Sequence, residues 1–131
     1  MKREELALEW VRKAESDYLA ASALFKVKPS PPFGIICFHC QQCAEKYLKA
    51  YLTANSREFE KTHDIEDLVL ICSKIDGEFE RLLEKGLHLT PYAVATRYPG
   101  FMDREMNEPK AVEALKICEE IRNFVSEKLK K

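Results

Sequence analysis

The densest run of residues able to bind a metal or act as nucleophiles is Cys37-Phe38-His39-Cys40-Gln41-Gln42-Cys43. Zinc requires thiolate and imidazole ligands that converge on one point at about 2.0–2.3 Å. On a helix, the three thiols of this run spread over about 120° of the apolar face, and the imidazole lies outside that face. The other two cysteines, Cys72 and Cys118, stand singly in apolar stripes. We therefore predict five buried core cysteines and no metal site.

Asp17 places a carboxylate within the apolar arc of the first helical stretch, between Leu6 and Trp10. An unpaired carboxylate in that position would cost several kcal/mol, so Asp17 should have a partner or open into a cleft. The candidate partners are Lys46, His63, Arg97 and a tyrosine hydroxyl. Two interpretations stay open: an ion pair that sets the helix register, or part of a binding site.

Gln41 lies at the edge of the apolar arc of the second helical stretch. Gln42 and Lys46 form an i, i+4 pair on the polar side of that stretch, which also holds Glu45 and Lys49. Gln41 and Lys46 are candidate ligand-binding residues. The alternative is that Gln41 is a boundary residue beside a solvated helix face.

His63 and Asp64 lie where the third helical stretch begins. The free N–H groups at a helix N-terminus attract anions, and Lys61 and Thr62 precede this one. Asp64 is also a suitable N-cap residue. The two residues are therefore candidates for anion binding, with a plain capping arrangement as the alternative.

Arg97-Tyr98-Pro99-Gly100 lies in the least regular part of the chain, residues 87–108. Proline and glycine favour a turn, and functional groups often occupy such segments. Arg97 and Tyr98 are therefore candidate binding residues. A role as a loop anchor is equally compatible with the pattern.

The elements that must position these residues are all helical by their apolar periodicity. No alternating strand pattern and no internal repeat occurs. We predict an all-α fold, an antiparallel up-and-down bundle of four main helices plus one short helix, formed by a single domain over residues 1–131. The helical stretches are residues 4–27, residues 33–54, a third helix that starts after Asp64, a short helix over residues 78–85 that ends at Gly86, and a last helix from Pro109.

The charge balance limits the classes of partner. Lys and Arg number 21 and Asp and Glu number 22, a net charge of −1, which argues against strong nonspecific binding of nucleic acid. No apolar run is long enough to span a membrane, and the start MKREELALEW lacks a signal-peptide core. We expect a cytoplasmic protein without membrane association. Outward-facing Leu8, Leu19 and Phe38 suggest an apolar patch covered by association.

Four elements of the chain resemble HEPN domains (higher eukaryotes and prokaryotes nucleotide-binding). Gln41-Gln42-Cys43-Ala44-Glu45-Lys46-Tyr47-Leu48-Lys49-Ala50 resembles the "QQxAEKxLKA" helix of the family. Trp10 with Ala14 and Asp17-Tyr18 resembles its first helix. Thr62-His63-Asp64-Ile65 and Arg97-Tyr98-Pro99-Gly100 resemble its "HD-hydrophobic" and "RYP" elements.

The resemblance implies a helical bundle that commonly forms a homodimer and binds a nucleotide or RNA without a further cofactor. Such domains often act with a minimal nucleotidyltransferase partner in toxin–antitoxin-like pairs. The binding residues that it indicates are His63, Asp64, Arg97 and Tyr98, with Asp17, Gln41 and Lys46 in support. A structural homodimerisation domain is the alternative that needs no ligand.

Many HEPN proteins are metal-independent ribonucleases with an Arg-x(4–6)-His motif. The stretch of this chain that fits the spacing is Arg57-x5-His63, which makes these two residues the candidate catalytic pair. It crosses the connection between two helices, Glu58 replaces the usual polar residue after the arginine, and Ile65 stands where a tyrosine can follow. A ribonuclease toxin is therefore the alternative, and we do not expect a competent enzyme.

Overall fold

The computed structural model of the protein describes residues 2–94 and 106–131, and over these ranges the chain is helical with no β-strand. The prediction of an all-α fold is confirmed. The α-helices are α1 (Arg3–Leu24), α2 (Phe33–Ala54), α3 (Ile65–Ser73), α4 (Leu83–Leu89) and α5 (Glu108–Leu129), with 3₁₀ segments at Gly77–Leu82 and Thr90–Ala93.

Local signals at both ends of α2 define its bounds. Pro31 and Pro32 precede the helix, and proline cannot continue a helix from the preceding turn. At the other end, Ser56 adopts a left-handed φ of 56°, and the backbone N–H of Arg57 donates to the Leu52 carbonyl at 2.8 Å. This Schellman-type ending reverses the chain direction. Residues 55–64, which we call the return segment, then run back along α2.

The two longest neighbours in sequence, α1 and α2, are antiparallel. Trp10 lies beside Lys49, and Asp17 lies beside Lys46 and His39. Residue numbers therefore increase along α1 in the direction in which they decrease along α2. Ala14 and Ala21 of α1 are fully buried, and their small side chains let the two helices approach closely. The first helix ends earlier than predicted, at Leu24.

The return segment determines where α3 lies. The carbonyl of His63 accepts a hydrogen bond from Gln41, and the Cys72 thiol lies 3.9 Å from the Leu48 carbonyl. Residue numbers therefore increase along α3 and α2 in the same direction. The start of α3 consequently meets the middle of α2 and not its end.

The short helix was predicted one turn too early. Residues Gly77–Leu82 form a 3₁₀ segment, and the α-helix α4 follows it. Gly86 lies inside α4 and does not end it, because the helix packs so tightly on α3 that a Cβ at Gly86 would be 2.6 Å from Ile65 Cγ2. The expectation that Gly86 is a C-cap was wrong for this reason.

The core is continuous across the helices, and α2 lies at its centre. Phe79 is fully buried between Tyr51 of α2 and Phe124 of α5, with ring centroids 4.4 and 5.0 Å away. All five cysteines are buried free thiols, as predicted. Burial raises the pKa of the Cys37 thiol to about 12, which keeps it protonated and unreactive.

Leu8 and Leu19 of α1 are 49% and 70% exposed, as the periodicity predicted. Phe38 is partly buried and meets the His39 ring edge-on at 5.5 Å, so it is less exposed than predicted. Across residues 2–94 and 106–131, no helix has both the length and the apolar character that a membrane-spanning helix needs.

Candidate functional site

Asp17 is paired, and one of its predicted partners is present. Lys46 Nζ donates to Asp17 Oδ2 at 2.6 Å, and His39 Nδ1 lies 2.8 Å from Asp17 Oδ1. His39 and Lys46 are seven residues apart on α2, so they share one face and flank the carboxylate of α1. His39 was missed because it lies outside the apolar arc. The need of Asp17 for two donors was the signal that could have found it.

A second group is built around the Glu45 carboxylate, whose side chain is only 5% exposed. Glu45 Oε2 accepts from Lys49 Nζ at 2.9 Å, and Glu45 Oε1 lies 2.9 Å from His63 Nδ1 and 3.1 Å from the donating Gln41 Nε2. Gln41 Nε2 also donates to the His63 carbonyl at 2.8 Å. Gln41 and Glu45 thus hold both the backbone and the ring of His63.

These contacts correct the predicted polar side of α2. Glu45 and Lys49 are buried, and Gln41 is fully buried and not a boundary residue. The helical wheel placed the charged pair in solvent because it considers one helix alone. The return segment covers this side of α2, and the hydrogen bonds replace the lost water.

The electrostatics of Glu45 are set by two opposing effects. Burial acts to raise the pKa of the carboxyl, but the hydrogen bonds from Lys49, His63 and Gln41 outweigh it, so the pKa is lowered. Glu45 is therefore ionised at neutral pH. Its charge favours the tautomer with the proton on His63 Nδ1. Nε2 is then the ring nitrogen that Glu45 does not contact.

His63 is the member of this group that reaches solvent, with half of its side chain exposed. An imidazole oriented by a buried carboxylate can accept or deliver a proton, or donate to an anion when protonated. Arg57, the other member of the candidate catalytic pair, is exposed in the same return segment. The two residues therefore belong to one surface segment.

The start of α3 is satisfied in a different way from that predicted. Asp64 occupies the N-cap position but makes no capping hydrogen bond with its side chain. The N–H of Ile65 instead donates to Thr90 Oγ1 at 2.9 Å, and the N–H of Asp64 donates to Thr62 Oγ1 at 3.1 Å. Asp64 itself is exposed, and slight desolvation together with the neighbouring Glu66 and Asp67 raises the pKa of its carboxyl.

A third polar group joins α1 to α5, and sequence reasoning missed it. Arg122 Nε and Nη2 donate to the two oxygens of Glu15 at 2.6 and 2.8 Å, and Tyr47 donates to Glu15 at 2.5 Å. The hydrogen bond from Arg122 lowers the pKa of Glu15 in spite of burial. Glu15 and Arg122 are 107 residues apart in the sequence, so no local pattern could predict that they pair.

Two of the candidate residues, Arg97 and Tyr98, fall outside the part of the chain that the structure describes. Asp17 and His63 belong to separate groups, because Asp17 is bound by His39 and Lys46 of α2, whereas His63 is bound by Gln41 and Glu45. Within residues 2–94 and 106–131, no cluster of His, Cys, Asp and Glu side chains is suited to hold a metal ion.

Comparison with known proteins identifies the fold. The HEPN domain family model matches residues 7–129. The crystal structure of TT1696 from Thermus thermophilus is similar with a TM-score of 0.83 and 29% identity, over 93% of this chain and 97% of that one. The crystal structure of ST0689, an archaeal HEPN homologue, is similar with a TM-score of 0.75 and 26% identity, over 98% of each chain. No curated protein matches. Since the family model spans nearly the whole chain, this protein belongs to the HEPN domain family.

Proposed function

We propose that this chain acts as a single HEPN module that binds a nucleotide or RNA and works with a minimal nucleotidyltransferase partner, in a toxin–antitoxin-like pair in the cytoplasm. The observation that carries the binding proposal is the half-exposed His63 imidazole, which the buried Glu45 carboxylate holds by Nδ1 at 2.9 Å. The five free thiols fit a reducing compartment.

His63 and Arg57 offer a phosphate two donors at the surface of the return segment. The carboxylates of Asp17 and Glu45 face inward and are already neutralised by Lys46 and Lys49. At the surface of the return segment the two donors, His63 and Arg57, lie among the exposed carboxylates of Glu58, Glu60 and Asp64. A polyanion would gain hydrogen bonds there without displacing an existing ion pair.

Calorimetry tests this proposal. The protein is titrated with ATP, with GTP and with a short single-stranded RNA, and we expect saturable heat with at least one of them. His63→Ala should weaken that binding at least tenfold. His88→Ala is the matched control, because His88 is 54% exposed and its nearest acid, Glu113, is 4.0 Å away. No heat at millimolar concentrations of all three ligands would refute the proposal.

The partner proposal has its own test. The family commonly occurs beside a gene for a small nucleotidyltransferase, so the neighbouring gene is co-expressed with this chain. We expect the two proteins to elute together in size-exclusion chromatography. An adjacent nucleotidyltransferase that elutes separately at micromolar concentration would contradict the pairing.

Ribonuclease activity is the second candidate, favoured by the location of Arg57 and His63 in one surface segment. The assay is cleavage of RNA by the purified protein in the presence of EDTA. If RNA is cleaved and His63→Ala abolishes the cleavage, the chain is an enzyme and the carboxylate-held imidazole is its acid or base. Equal rates for the variant and the unchanged protein would exclude that role for His63.

A further inference from the structure

A groove lies next to the Glu45 group, between the first turns of α1 and the end of α2. Its volume is about 500 Å³ and its lining includes Leu6, Trp10, Ser56, Arg57, Glu58 and Phe59. A groove of this size, apolar on its walls and with a few polar groups at the rim, matches the usual dimensions of a small-molecule site.

Two aromatic rings form the apolar wall of the groove. The centroids of Trp10 and Phe59 are 6.5 Å apart, with their planes at 61°, and both side chains are partly exposed. Lys49 Nζ lies 5.5 Å from the Trp10 centroid and 5.8 Å from the Phe59 centroid. Because Lys49 is also bonded to the buried Glu45, it holds both rings in place from within.

The rim of the groove carries one arginine and one carboxylate, Arg57 and Glu58, and the arginine is the group that an anion would contact. The Arg57 side chain has no hydrogen bond, ion pair or ring contact within residues 2–94 and 106–131, and it also lines the adjoining groove beside α3. Arg3 Nη1 donates to Ser56 Oγ at 2.7 Å at the same edge. An exposed guanidinium with no partner among the described residues, next to partly exposed aromatic rings, is suited to an anionic ligand that carries a flat ring.

We propose that this groove binds a nucleobase with its 5′-phosphate, the base against Trp10 and Phe59 and the phosphate on Arg57. The inference rests on the proposed function and locates its ligand. A purely apolar ligand would leave Arg57 unused, whereas a nucleotide contacts the rings and Arg57 together and leaves the exposed Glu58 in solvent. The same chemistry is offered by a free nucleotide and by a nucleotide within single-stranded RNA.

Lys49 connects the groove to the imidazole of the candidate site. It contacts both rings on one side and the Glu45 carboxylate on the other, and that carboxylate holds His63 Nδ1. A ligand that moves the rings therefore acts on the same network that orients His63. The groove and the half-exposed imidazole belong to one site on this side of the bundle.

Trp10 is the only tryptophan of the chain, so its fluorescence reports the occupancy of this groove directly. The protein is titrated with AMP, ATP, adenosine and a short single-stranded RNA while Trp10 emission is followed. We expect saturable quenching by AMP or ATP, or by RNA alone if the natural source is a strand. Adenosine should bind at least tenfold more weakly than AMP, because it lacks the phosphate.

Arg57→Ala and Phe59→Leu should each lower the affinity for the ligand that quenches Trp10 at least tenfold. Arg81→Ala is the matched control, since Arg81 is an exposed arginine that contacts Phe124 on another side of the bundle. Circular dichroism and the thermal midpoint establish that each variant is folded. The phosphate assignment fails if Arg57→Ala and the unchanged protein bind AMP equally.

The outcomes separate this inference from the proposed function. If calorimetry detects a nucleotide that His63→Ala weakens, but Trp10 emission does not change and Phe59→Leu binds normally, the ligand lies elsewhere and only the groove is rejected. If no ligand gives heat or quenching, both proposals are rejected. Quenching with the predicted loss in both groove variants supports both.

Discussion

Glu45 is the residue on which the candidate site depends most. Its carboxylate is almost completely buried, yet it accepts hydrogen bonds from Lys49, His63 and Gln41. Loss of one partner of a buried ion pair is costly because the other charge stays buried without compensation. Lys49, which is 9% exposed, is the charge that would be left.

Glu45→Gln should therefore lower the free energy of unfolding at pH 7 by about 3 kcal/mol. The folded-state pKa of Glu45 lies below its usual 4.5, so the ionised carboxylate stabilises the fold above pH 4.5. This stabilisation is lost as the pH falls through the lower folded-state pKa. Urea unfolding at pH 7 and at pH 3.5 measures it, and the difference between the two proteins should shrink at the lower pH.

Glu60→Gln is the control for this experiment, since Glu60 is an exposed carboxylate of the return segment. It should change the unfolding free energy by less than about 0.5 kcal/mol at either pH. A Glu45→Gln variant as stable as the unchanged protein at pH 7 would show that the network does not hold the return segment.

At the scale of the elements, the contact between α3 and α4 is the tightest test of packing. Gly86 faces Ile65, which is fully buried, and a Cβ at Gly86 would be 2.6 Å from Ile65 Cγ2 and 3.2 Å from its Cβ. A β-branched side chain has no flexible end to move aside at these atoms. Helix propensity alone would favour alanine at this position by about 1 kcal/mol.

Gly86→Ala should nevertheless destabilise the protein by about 1–3 kcal/mol, because the overlap with Ile65 forces the two helices apart. Thermal and urea unfolding measure the change. Gly77→Ala is the matched control, as nothing lies within 4 Å of a Cβ there, and it should be neutral or slightly stabilising. A stabilising effect of Gly86→Ala would mean that α4 is more loosely packed than the distances indicate.

At the scale of the whole molecule, the exposed apolar residues of α1 bear on association. Leu8 and Leu19 are 49% and 70% exposed, and Leu8 also lines an apolar groove of about 390 Å³ with Val11 of α1 and Leu129 of α5. Contiguous exposed apolar surface commonly marks a protein interface. We propose that a second copy of the chain covers this surface, and the binding proposals do not depend on it.

Sedimentation should therefore give a dimer at micromolar concentration. The double variant Leu8→Lys, Leu19→Lys should raise the dissociation constant of the dimer at least tenfold. Val94→Lys is the control, because Val94 is also exposed, at 47%, and belongs to neither α1 nor α5. Sedimentation of the unchanged protein as a monomer at these concentrations would refute the homodimer proposal.

Short-range sequence signals were sufficient to predict a large part of this fold. The bounds of α2 were predicted to the residue, because Pro31 and Pro32 before it and the Asn55-Ser56 ending after it are signals within a few positions. The burial of the cysteines followed from helical period in the same way. The cost of an unpaired buried carboxylate predicted that Asp17 has a partner or opens into a cleft, and Lys46, which pairs with it, was one of four candidates.

Only the tertiary structure decided which face of α2 the return segment covers. His63 lies 18 residues from Glu45, and Arg122 lies 107 residues from Glu15, so no periodicity within one helix relates these partners. Burial of Glu45 and Lys49, the place of Gly86 inside α4 and the ring pair of Trp10 and Phe59 all depend on how separate elements meet. A helical wheel describes the environment of a side chain from its own helix, whereas the chemistry of this site comes from the segments packed against it.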